Sequence, residues 1–149
     1  MSQEQLESMK GGDPFYCVQE VTIEAIEAGT SDTFYCYDTM DELSEKYNEM
    51  EPAIDMFFEA NRQRGAVGHW AVYAHVLYSG LIADIYGCWD SVPNSSIYSL
   101  THWDTPLFSL AAYYGANYTG SGIVYTLPNS ADGLSTPYWS ARPYNVGCA

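Results

Sequence analysis

The nineteen residues 65–83, Gly-Ala-Val-Gly-His-Trp-Ala-Val-Tyr-Ala-His-Val-Leu-Tyr-Ser-Gly-Leu-Ile-Ala, contain no Asp, Glu, Lys or Arg. So long an uncharged run must be buried, in a protein core or in lipid, and the rest of the chain has to be arranged around it. Its apolar character continues to Trp89, interrupted by Asp84. The length is that of a minimal membrane-spanning helix. Two His, two Tyr, one Ser and three Gly lower its hydrophobicity. The expectation is therefore a central helix buried in a globular core, with membrane contact through residues 65–83 as its alternative use.

Charge divides the chain. Residues 1–60 hold fifteen Asp and Glu against Lys10 and Lys46, a net of −13, whereas residues 61–149 hold Asp84, Asp90, Asp104 and Asp132 against Arg62, Arg64 and Arg142. A formal charge of −14 repels a phosphate backbone and anionic lipid, so direct nucleic-acid binding is not expected. With 47% hydrophobic residues and fourteen Tyr the chain is no disordered acidic tail. Its neutral second half is rich in Tyr, Ser, Asn and Gly, a composition suited to adaptable contact surfaces.

Phe15-Tyr16-Cys17 recurs as Phe34-Tyr35-Cys36. Val21, Ile23 and Ala25 alternate with polar residues, which reads as extended chain over 15–27 and 33–37, with a turn at Ala28-Gly-Thr-Ser-Asp32. Val18, Val21, Ala25 and Ile26 also fit a helix. A hairpin would bring Cys17 near Cys36. The four cysteines, Cys17, Cys36, Cys88 and Cys148, allow two disulfides in three connectivities. Thr39 and Glu42 form a capping-box pattern ahead of Met40, Leu43, Tyr47 and Met50 at helical spacing. Pro52 suits the first turn of a second helix through Ile54, Met56, Phe57 and Phe58, with Gly65 as its stop. Residues 91–106 read as loop, Leu107–Tyr114 as a short helix or strand, and 115–149 as irregular β structure. The expected fold class is α+β: acidic helices and a central apolar helix packed on a small irregular antiparallel sheet.

The first twelve residues resemble a double-glycine leader peptide, the export tag of bacteriocin-type precursors. Met1, Ser2, Leu6, Met9, Gly11 and Gly12 match that pattern in register, and Gln5 stands where the family prefers Glu. The resemblance implies that Leu6 and Met9 dock on an exporter with a cysteine peptidase domain, that cleavage follows Gly12, and that the product is secreted. The same residues also suit an ordinary N-terminal helix, with Ser2 and Gln5 as a capping box and Gly11 as its stop. The chain thus divides into a candidate leader or N-terminal helix, 1–12, and a single globular domain, 13–149.

No motif for a catalytic nucleophile, phosphate loop or zinc helix is present. His69 and His75, six apart, diverge on a helix and make poor joint metal ligands. His102 and Asp104, in His-x-Asp order, would share one side of a strand, the only basis for a small enzyme. No catalytic residue, metal or cofactor is assigned. The leading function is an exported, non-enzymatic, bacteriocin-like or related leader-bearing precursor. The alternative is a cytoplasmic acidic inhibitor that imitates nucleic acid and places Asp41, Glu42, Glu45 and Glu49 against a basic protein surface. A viral or extracellular structural subunit is a further alternative.

Overall fold

The computed structural model describes residues 14–134 and 136–144. Two β-sheets dominate it, and among the described residues only one helix is longer than six residues. This overturns the expected α+β class with several helices around a central apolar one. The order is β1 (Tyr16–Gln19), α1 (Ile23–Ala28), β2 (Phe34–Tyr37), α2 (Met40–Gln63), β3 (His69–His75), β4 (Ser79–Ile85), β5 (Ser99–Trp103), β6 (Ser109–Tyr113), β7 (Gly122–Tyr125) and β8 (Ser140–Tyr144). Two short 3-10 turns, Cys88–Asp90 and Ala116–Tyr118, interrupt the connections.

The repeated Phe-Tyr-Cys tripeptides do form a hairpin. β1 and β2 pair antiparallel with Cys17 opposite Cys36. The Glu20 N–H donates to the Thr33 carbonyl at 2.8 Å, so strict alternation puts Cys17 and Cys36 at a narrow, non-hydrogen-bonded position. Their Cα atoms lie 4.1 Å apart and a disulfide joins them. The link between them is not extended throughout: Thr22 caps α1 by accepting from the Ala25 N–H, and Gly29 ends it with φ 80°. The helical spacing of Val21, Ala25 and Ile26 wins over their alternation there.

α2 starts as the capping box requires. Thr39 Oγ1 accepts from the Glu42 N–H at 3.2 Å and lies 3.1 Å from the Glu42 carboxylate. The helix then runs through Pro52 instead of restarting at it. The reason is the buried stripe Leu43, Tyr47, Met50, Ile54 and Phe57, which keeps its 4-3-4-3 spacing across the proline. Each such side chain contributes about 1.5–3 kcal/mol on burial, which outweighs the roughly 3 kcal/mol cost of a proline inside a helix.

The uncharged run 65–83 is not a helix. It forms most of the β3–β4 hairpin, and β3 is the centre of a three-stranded antiparallel sheet ordered β4-β3-β5. Val72, Trp70 and Tyr73 are β-formers, and an apolar run does not by itself distinguish one buried helix from two strands. The loop expected over 91–106 likewise yields β5, and the ambiguous 107–114 segment yields β6. Gly68 lets β3 begin: a Cβ there would lie 2.3 Å from the Thr105 carbonyl carbon. Among the described residues no helix is long and apolar enough to cross a membrane.

The second sheet has five strands in the order β2-β1-β7-β6-β8, antiparallel except for the β1–β7 pair. Alternate residues feed two cores. Cys17, Phe34, Leu110, Ala112, Ile123 and Tyr125 face the three-stranded sheet, meeting Trp70, Val72, Ile85 and Leu100. Val18, Ala111, Tyr113 and Val124 face α2. The fold is therefore helix, five-stranded sheet and three-stranded sheet, in layers. Gln19 and Trp70 pair their buried polar groups internally. Gln19 Oε1 accepts from the Thr126 and Leu127 N–H groups, both at 2.9 Å, and its Nε2 donates to the Ser31 carbonyl. Trp70 Nε1 donates to the Phe108 carbonyl.

A separation of 19 residues gives the disulfide a chain-entropy contribution of about 3 kcal/mol. The double substitution Cys17→Ala with Cys36→Ala is expected to lower unfolding stability by about that amount. Urea unfolding of the two proteins under non-reducing conditions measures it, and an unchanged midpoint would contradict it.

Candidate binding surface

The inner side of the three-stranded sheet is closed by the core; on its outer side Ala71 and Tyr73 are buried while Trp103 and Leu81 are exposed. Register places Tyr73 opposite Ser99 and Leu81, Ala71 opposite Thr101, and His69 opposite Trp103. Trp103 is 58% exposed, Leu81 and Tyr86 are more than half exposed, and Trp89 is 97% exposed. Trp103 lies opposite His69, on whose ring Tyr86 stacks, so two exposed aromatic side chains flank one end of β3, and exposed apolar patches mark places of contact. Tyr73, Tyr78, Thr101, His102 and Trp103 line a shallow groove of about 450 Å³. The Tyr73 and Tyr78 rings meet edge to face at 5.8 Å.

One wall of this groove is held in an uncommon backbone conformation. Leu77 and Tyr78, in the β3–β4 connection, have φ 57° and 55°, where a bulky L-residue costs roughly 1–2 kcal/mol. Tertiary bonds hold them there. The Leu77 N–H donates to the Asp132 carbonyl at 2.6 Å, and the Tyr78 N–H donates to Ser99 Oγ at 3.1 Å. Ser99 in turn donates to the His75 carbonyl at 2.6 Å. The result is a tip with Leu77 70% exposed. Strain kept in place by surrounding bonds, on an exposed apolar tip, is characteristic of recognition sites.

The other wall ends in Asp104, also at positive φ, 50°. That turn breaks the His-x-Asp pattern. His102 Nδ1 lies 2.7 Å from the Asp104 backbone carbonyl, not its carboxylate. The carboxylate accepts from the Val67 N–H and from Arg64 Nη2, both at 3.2 Å. These bonds, that from Val67 foremost and then Arg64, hold its pKa below the ordinary carboxylate value. A strand continuing through Asp104 would have aligned the two side chains; the turn separates them.

His69 and His75 share the outer side of β3, because six positions are an even count on a strand. His69 Nε2 lies 3.1 Å from Asp84 Oδ1, and its ring stacks on Tyr86 at 4.2 Å. Among the described residues no three of His, Cys, Asp and Glu are grouped so as to hold a metal ion. Asp41, Glu42, Glu45 and Glu49 lie exposed on α2, on the layer opposite the groove. Asp41 and Glu42 stand in the first turn, where carboxylates stabilise the helix N-terminus. Leu6, Met9, Gly11, Gly12 and Cys148 lie outside the described residues, and Cys88 opens the first 3-10 turn. Tyr78 and Trp103 were not legible as site residues. Only the lack of charge over 65–83 pointed to this region.

Leu77→Gly should relieve left-handed strain while adding glycine's cost of about 0.5–1 kcal/mol. Stability in urea is expected to stay level or to rise by up to about 1 kcal/mol. A fall of more than that would make the Leu77 side chain structural. A lowered Asp104 pKa means stability that is present above the ordinary value of 3.8 and is lost as pH falls through the folded value. Asp104→Asn is expected to flatten that acid limb in thermal melts taken across the carboxylate range, and an identical acid limb would contradict the linkage. No protein-family model matches the chain, and no curated protein matches it either.

Proposed function

We propose that the protein is an exported, non-enzymatic binding protein, matured after Gly12 of a double-glycine leader. It uses the outer face of the three-stranded sheet as its contact surface. The observation that carries the exported reading is the Cys17–Cys36 disulfide in the β1–β2 hairpin, since such bonds form and persist in oxidising compartments. Cleavage after Gly12 would leave Asp13, Pro14 and Phe15 ahead of β1 and spare every strand and helix described. The binding reading is supported by the exposed aromatic groove and by the strained tip beside it. The partner in export would be a transporter with a cysteine peptidase domain that recognises Leu6 and Met9.

Intact mass and N-terminal peptide mapping of the protein from inside and outside its native host test this reading. The expected form is extracellular, begins at Asp13, and carries Cys17 and Cys36 as a bridged pair. An intracellular form that keeps residues 1–12, with both residues as free thiols, would overturn it.

A further inference from the structure

We propose that the groove formed by Tyr73, Tyr78, Thr101, His102 and Trp103 binds a neutral carbohydrate, with a pyranose ring laid against the aromatic side chains. The inference rests on the reading of this face as the contact surface and names the ligand for it. Its volume of about 450 Å³ falls in the range of small-molecule sites.

The charges at the rim cancel. The Arg64 guanidinium is committed to Asp104, Thr105 Oγ1 at 2.9 Å and Asn61 Oδ1 at 3.0 Å. Asp104 follows Trp103 in the chain, and its carboxylate is committed to Arg64 and the Val67 N–H. An anionic ligand finds no free cation, and the chain's net charge of −14 opposes its approach.

The lining is instead amphipathic. Tyr and Trp combine a broad apolar body with a polar handle. The Tyr73 and Tyr78 hydroxyls and the Trp103 indole N–H make no hydrogen bond with the described residues. Thr101 Oγ1 shares one hydrogen bond with Ser130 Oγ at 2.7 Å, and a hydroxyl can make more than one. A pyranose has the matching surfaces: apolar C–H faces for the rings and a rim of hydroxyls that both donate and accept. The clamped backbone at Leu77 and Tyr78 sets the wall beforehand, which lowers the ordering cost of binding.

The test is titration of the full, disulfide-bonded chain with oligosaccharides derived from cellulose, chitin, xylan and starch, followed by tryptophan fluorescence and amide chemical shifts. At least one is expected to bind saturably, with shifts centred on residues 73–78 and 99–103. Trp103→Ala, and Tyr78→Asn, which tolerates the left-handed backbone, are expected to weaken binding about tenfold or more, as truncation of an aromatic anchor does. Trp139→Ala, outside the groove, should leave binding unchanged. Thermal melts check that each variant folds. The proposal is overturned if none of the four saturates, if tetramethylammonium or an anionic polysaccharide binds there instead, or if Trp103→Ala binds as well as the parent. A secreted, bridged protein that binds none of them would sink the ligand and leave export standing; an intracellular protein with free thiols would sink export, and the titration would still decide the ligand.

Discussion

Burial of the five-stranded sheet on both faces is the constraint from which the rest of the molecule follows. Its central strands have no solvent side, so Cys17, Val18, Leu110, Ala111, Ala112, Tyr113, Ile123, Val124 and Tyr125 must all be apolar, and all are buried. Two separate covers are then needed. The stripe of α2 supplies one and the inner side of the three-stranded sheet supplies the other. With no water to satisfy them, polar groups between the layers have to pair internally. Tyr47, Ser109 and Thr126 do so in a chain of hydroxyl contacts at 2.9 and 2.8 Å, and the Tyr125 and Tyr138 hydroxyls meet at 2.6 Å.

This layering also sorts the chemistry of the surface. The acidic residues of α2 lie on one outer layer, and the aromatic groove lies on the other with the sheet between them. The groove is thereby separated from the helix's carboxylates by the five-stranded sheet. Its own rim is balanced locally by Arg64 and Asp104. The bonds that hold the strained tip, from Ser99 and Asp132, come from β5 and from the β7–β8 connection, so the tip exists only once distant parts of the chain have packed.

Several local features were legible in the sequence because nearby residues decide them. The Phe-Tyr-Cys repeat pointed to the hairpin and to the Cys17–Cys36 approach. Thr39 and Glu42 marked the start of α2, and Gly65, at φ 83°, follows its end. The main misreading, a helix over 65–83, has a specific cause. The turn between β3 and β4 uses Val76, Leu77 and Tyr78, with none of the Gly, Asn, Asp or Pro that ordinarily announce a chain reversal. Without that punctuation two buried strands look like one apolar segment. Pro52 was misread in the opposite sense: it looked like a boundary, and burial of the stripe on either side carried the helix across it.

By itself, then, the sequence determined what short-range chemistry controls: the cap of α2, its buried stripe, the cysteine hairpin, and the division into an acidic first part and a neutral, aromatic second part. Only the tertiary structure decided that the uncharged run would be a hairpin, that Asp104 would turn away from His102, and that Tyr73, Tyr78 and Trp103 would line one groove. Each of those outcomes depends on hydrogen bonds and packing between residues far apart in the chain. The Leu77 N–H reaches the Asp132 carbonyl, and Arg64 reaches Asp104. No local propensity encodes such partners.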